Sequence, residues 1–108
     1  MGKLFMGKVY LIGDIDEGRY KIGYTIRNVN QRIDEIQTGN PKKLELIKVF
    51  ETIHYIKVEA WMHRIHGSKR MEGEWFELTD EDIKNFKQDC QKGHDIFKML
   101  IDSDNPFI

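Results

Sequence analysis

Five side chains in this sequence are of types that handle phosphate and protons, and the elements around them would bring them together. Tyr10 stands inside a short apolar run, VYLI, and Lys21 stands in a second run, YKIG, one loop further on. Arg32 falls one turn into a helical pattern that follows. Glu59 and His63 are four residues apart, which puts both on one face of a helix. The forked donors of a guanidinium suit phosphoryl oxygens. A phenol and an ammonium, with ordinary pKa values of about 10 and about 10.4, are poor bases at neutral pH. Placed side by side near a metal, the ammonium favours the phenolate and the metal favours loss of both protons. Every one of these residues also has an ordinary reading. Tyr10 can be a half-buried strand aromatic and Lys21 a surface lysine. Arg32 with Glu35 can be a helix ion pair, Glu59 the polar side of an amphipathic helix, and His63 a polar residue on its surface. Composition and spacing leave both readings open.

The elements that must position these groups are well punctuated. KVYLIG, residues 8–13, predicts a strand, DIDEG a hairpin loop and RYKIGY a returning strand. In NVNQRIDEIQTGNP, Asn28 can cap a helix with Gln31 as capping-box partner, and Gly39 and Pro41 end it. Val29, Ile33 and Ile36 recur on one face of that helix. Residues 43–51, KLELIKVFE, predict a third strand, and a second helix is expected from about Tyr55 to His66. GEWFEL follows as a short extended segment. Thr79 with Asp82 predicts a capped third helix along Ile83, Phe86 and Cys90, which Gly93 should break or kink before a last helical piece over residues 95–102. The order β-β-α-β-α-(β)-α predicts a compact α/β sandwich.

The whole chain sets the bounds. Its 108 residues are one domain's worth, 40% hydrophobic and 32% charged. No apolar run approaches the ~20 residues of a membrane span, and the N-terminal segment lacks the pattern of a signal peptide or a myristoylation site. A single cysteine, Cys90, excludes an internal disulfide and a cysteine-based zinc site. A reducing, cytoplasmic setting without a membrane is expected. The net charge of −1 hides an asymmetry. Residues 1–70 hold 13 Lys and Arg against 8 Asp and Glu, whereas residues 71–108 hold 4 against 10. The first part could present a face to phosphate while the second is acidic.

The order of the motifs adds what the residues singly do not. VYLI, YKIGYT, Arg32, QTGNP, Glu59 and GEWF, spread over residues 8–78, resemble the GIY-YIG nuclease superfamily, most closely its small phage and bacterial branch with a KIG-type second motif. The first motif keeps only Tyr10, and Lys21 stands where the second would have tyrosine. The resemblance implies an α/β (α+β) fold with a small three-stranded antiparallel sheet flanked by helices. Residues 1–78 would be the nuclease-like module and residues 79–108 a C-terminal helical extension packed on it. It implies a metal-dependent DNA endonuclease in which Glu59 holds Mg²⁺ or Mn²⁺. Arg32 would hold the phosphate, Tyr10 act as base with Lys21 assisting, and His63 serve as a secondary proton relay. Gly23 would end its strand where a side chain would crowd the substrate. Arg27, Lys42, Lys43, Lys69 and Arg70 are the basic residues expected along the DNA backbone. Glu74 is a weaker candidate for a second metal ligand, and His63 and His66 with Glu59 form a zinc alternative that lacks an evident further ligand. Family members with strong sequence preference generally append a DNA-binding domain, so low intrinsic specificity, a second copy of the chain or a targeting protein is expected. Two rival readings stay open: a DNA-binding module of the same fold without turnover, and an interaction protein acting through the acidic C-terminal segment.

Overall fold

A computed structural model describes residues 5–103. The chain begins with a hairpin of β1, Gly7–Asp14, and β2, Arg19–Thr25. Gly18, at φ 65°, takes the left-handed turn position that a side chain would strain. Asp14 closes β1, and although it is only 1% exposed its carboxylate is matched. Arg19 Nε pairs with it at 3.1 Å and the Glu17 N–H donates to it at 3.3 Å. Helix α1, Val29–Thr38, starts at Asn28, whose side chain accepts from the N–H groups of Asn30 and Gln31. Then come β3, Glu45–Thr52, and α2, Tyr55–Ile65. A 3₁₀ turn at Gly67–Lys69 leads to β4, Trp75–Phe76, followed by α3, Asp80–Lys84, and α4, Phe86–Asp102.

The four strands form one antiparallel sheet in the order β3-β1-β2-β4. Central β1 is covered on both faces, which is why it reads as a continuous apolar run and not as an alternation. Val9, Leu11, Tyr20 and Ile22 pack with Val58 and Met62 of α2 and with Phe86 and Cys90 of α4. On the opposite face Tyr10, Ile12 and Leu44 pack with Val29, Ile33 and Ile36 of α1 and with Trp75. The register sets Tyr10 opposite Gly23 and Ile12 opposite Lys21.

The architecture is the expected α+β arrangement, with three local differences. The three-stranded sheet gains β4 from GEWFEL, because Phe76 pairs with Tyr20 and Trp75 with Lys21. The capping box of Thr79 and Asp82 is present, but it opens the short α3, and Asn85 separates this from α4. Gly93 does not break α4. A Cβ there would lie 2.5 Å from Trp61 Cδ1, so glycine permits the close approach of α2 to α4. Since Phe86 and Cys90 belong to the main core, the segment after Leu78 is packed into the same body as the sheet.

Candidate functional site

β4 is only two residues long, so pairing along the outer edge of β2 stops at Lys21. Beyond that point the edge is open, and a cleft of about 330 Å³ lies there between α1 and α2. Its walls are Tyr10, residues 23–27, Arg32, Glu59 and Glu74. Tyr10 is 1% exposed, and the hydroxyl end of its ring lies against Gly23. A Cβ at Gly23 would stand 2.6 Å from Tyr10 Cζ, so this glycine makes room for Tyr10 within a strand that continues to Thr25. The expectation that Gly23 ends the strand to spare the substrate is thereby corrected.

Two arginines meet at the mouth of the cleft. Glu35 grips Arg27 through Nη1 at 2.8 Å and Arg32 through Nη1 at 3.1 Å. The Tyr10 hydroxyl and Glu35 hold the Arg32 guanidinium still more firmly charged than usual. Arg27 and Arg32 in turn keep the Glu35 carboxyl below the ordinary carboxylate range. Lys21 extends from β2 to Glu74, with Nζ 2.7 Å from Oε2, and this pair holds Glu74 well ionised.

Glu59 projects from α2 into the cleft and is half-buried. Burial raises its pKa, Glu74 adds to the rise, and His63 and Lys21 oppose it. Its nearest basic neighbour is His63, Nε2 to Oε1 at 3.8 Å, and its carboxylate accepts no hydrogen bond among the described residues. His63 Nε2 lies 2.8 Å from the Ile22 carbonyl on the open edge of β2. A carbonyl only accepts, so Nε2 carries a proton and His63 caps the free edge. The ring also stands edge-on to Phe76, with centroids 5.0 Å apart.

A half-buried carboxylate lacking a donor and facing a polar cleft fits a hydrated divalent cation, which needs few protein ligands. The zinc alternative fits poorly. His66 is buried with Nε2 unpartnered, away from the cleft, and no group of three or more His, Cys, Asp or Glu side chains gathers among the described residues.

Of the residues expected at the site, Tyr10, Arg27, Arg32 and Glu59 line the cleft. Lys21 joins it through Glu74 and His63 through Glu59. Lys42, Lys43, Lys69 and Arg70 do not line it. Lys42 pairs with Glu17 at 3.3 Å and Lys69 with Asp82 at 2.5 Å, while Arg70 Nε donates to the Gly73 carbonyl. Lys43 is exposed. Sequence reasoning passed over Tyr24 and Ile26, underrated Glu74, and took Glu35 for a surface ion-pair partner. The three-residue spacing of Arg32 and Glu35 signals one half of the arginine fork, and nothing in the sequence signals Arg27 as the other.

The fold and site together define a small α+β domain with a charged cleft at the unpaired edge of its sheet. The T5orf172 domain matches residues 7–91, from the start of β1 into α4, and the chain belongs to that family. No curated protein and no solved structure matches it. Among the described residues, no helix is long and apolar enough to cross a membrane.

Proposed function

We propose that the protein is a metal-dependent DNA endonuclease of the GIY-YIG type with low intrinsic sequence specificity. The observation that carries this reading is the convergence of Tyr10, Arg27, Arg32 and Glu59, from one strand, one loop and two helices, on a single cleft. The scissile phosphate would lie against Arg27 and Arg32. Glu35 aligns the two guanidinium groups beforehand, so their donors need little reorganisation as charge builds on the phosphoryl oxygens. Water attacks phosphorus, the bond to the 3′ oxygen breaks, and the products carry a 5′-phosphate and a 3′-hydroxyl. Tyr10, held against Gly23 with its hydroxyl beside Arg32, would accept the proton of the water, and the departing 3′ oxygen would take its proton from solvent. Lys21, which reaches the site through its ion pair with Glu74, would assist by its charge. Mg²⁺ or Mn²⁺ held by Glu59 would supply Lewis-acid stabilisation of the leaving oxygen. His63, with its Nε2 proton given to Ile22, serves first to hold the β2 edge and to stand beside Glu59.

The test is nicking of supercoiled plasmid in Mg²⁺ or Mn²⁺. Wild type should cut, Glu59→Ala should not, and Arg32→Ala should lose about 10²- to 10³-fold in rate. If wild type and Glu59→Ala cut equally, or neither cuts, the catalytic assignment fails.

A further inference from the structure

Two exposed apolar side chains share the cleft with the arginines, and the reaction as proposed uses neither. Tyr24 is the one exposed position of β2, at 40%, and Ile26 is 60% exposed. Single exposed apolar residues are ordinary. These two are held in place beside a charged cleft. The Tyr24 ring rests against Tyr55, with centroids 5.6 Å apart and planes inclined by 39°. Ile26 sits on a turn pinned on either side. The Arg27 N–H donates to Thr25 Oγ1 at 3.0 Å, and Asn28 caps the helix that follows.

Resting on the DNA reading above, we propose that the cleft takes a DNA strand at an unstacked nucleotide: its base stacks on Tyr24, Ile26 wedges beside it, and its phosphate lies on Arg27 and Arg32. The three residue steps from Tyr24 to Arg27 span at most about 11 Å of chain, so aromatic face and arginine fork can serve one nucleotide. Within a paired duplex the faces of the bases are covered by their neighbours, and only edges are offered to a protein. An aromatic ring recognises a base face, which is available where the strand is single, bulged or kinked. A protruding aliphatic side chain is the kind of group that holds a base step open. Stacking of this sort is indifferent to base identity, in keeping with low sequence preference.

The experiment measures binding without divalent cation, at one fixed salt concentration. The probes are three DNA oligonucleotides of common sequence carrying 2-aminopurine: single-stranded, duplex with a one-base bulge, and fully paired duplex. Wild type should prefer the first two by about 10-fold or more and quench their fluorescence, as stacking on an aromatic ring does. Tyr24→Ala should weaken binding to these two by about 5- to 150-fold with little change on the paired duplex. Tyr24→Trp should restore the preference, which a merely structural role for Tyr24 would not allow. Equal wild-type affinity for paired and unpaired DNA, or an equal loss on all three probes in Tyr24→Ala, overturns the proposal. Binding that depends on Arg32 but not on Tyr24 overturns it while leaving the DNA reading intact. Binding to none of the three overturns both.

Discussion

Replacing Gly23 with alanine tests how the cleft is built. The new Cβ would stand 2.6 Å from Tyr10 Cζ and 2.9 Å from Cε1, well inside contact distance. Tyr10 is 1% exposed, belongs to the central strand and packs with Ile12 and Leu44, so its ring has nowhere to retreat without disturbing the α1 face of the sheet. Overpacking of this kind costs about 1–3 kcal/mol. Alanine in a strand recovers roughly 0.5–1 kcal/mol of the entropic penalty of glycine. A net loss of about 1–2 kcal/mol is expected. The decisive comparison is a double-mutant cycle with Tyr10→Leu, which removes the ring. In that background Gly23→Ala should be neutral or should stabilise by up to about 1 kcal/mol, giving a coupling of about 1–3 kcal/mol. Urea unfolding followed by the fluorescence of Trp61 and Trp75 reads each corner of the cycle. If Gly23→Ala costs the same in both backgrounds, within about 0.5 kcal/mol, the close packing of Tyr10 on Gly23 is refuted.

Gly93→Ala should destabilise by about 1–2 kcal/mol despite a helix-propensity gain of about 1 kcal/mol, because the added methyl meets Trp61 at 2.5 Å; a rise in thermal midpoint would contradict this. Burial raises the Glu59 pKa, so the fold disfavours the ionised form and wild type loses stability as pH rises from the ordinary glutamate value through the raised one. Without divalent cation, Glu59→Gln should therefore melt above wild type at about pH 8, and the difference should shrink at about pH 4. Added Mg²⁺ should narrow the gap at the higher pH by stabilising wild type alone, and an unchanged gap would count against Glu59 as the ligand. Glu35→Gln leaves both arginines charged but loosens their alignment. We expect kcat on plasmid to fall about 10-fold or more while DNA affinity holds or rises, and an unchanged kcat would remove Glu35 from any positioning role.

What was legible in the sequence was local. Asn28 and the Thr79–Asp82 box announce their helices because a cap binds N–H groups two or three residues away. The apolar run of β1 announces a strand, and its coverage on both faces appears only in the structure. What was hidden depends on register and on contacts between elements. GEWFEL is legible as a short extended segment but not as a fourth strand of the sheet, and only the pairing of Trp75 with Lys21 brings Glu74 to the cleft. Gly93 invites a helix break on propensity, and only the ring of Trp61 explains why the helix continues across it. Gly23 drew notice for the right position and the wrong cause: the group it accommodates is Tyr10 of the neighbouring strand. The basic residues were counted correctly, but their acidic partners Glu17, Glu35 and Asp82 decide how much of that charge is free.

On the nuclease reading, the charge of the cleft gives a reason for a cation to accompany the phosphate. Lys21, Arg27 and Arg32 stand against Glu35, Glu59 and Glu74, so His63 apart the site is electrically balanced. A phosphodiester arriving alone would leave it with one uncompensated negative charge, close to a Glu59 carboxylate that burial already disfavours. A divalent cation arriving alone would leave an excess of two positive charges, which the arginine fork opposes. Together they leave a single positive charge, suited to the negative charge that grows on phosphoryl and leaving oxygens during hydrolysis. On this arithmetic each component improves the binding of the other, and by linkage the coupling is the same in both directions. Replacing Glu59 then does more than remove a ligand. It takes one negative charge from a balanced cleft, so loss of cation affinity should come with tighter cation-free DNA binding. A binding module without turnover has no need of that trade, so observing it would favour the catalytic reading over its rival, and its absence would count against that reading.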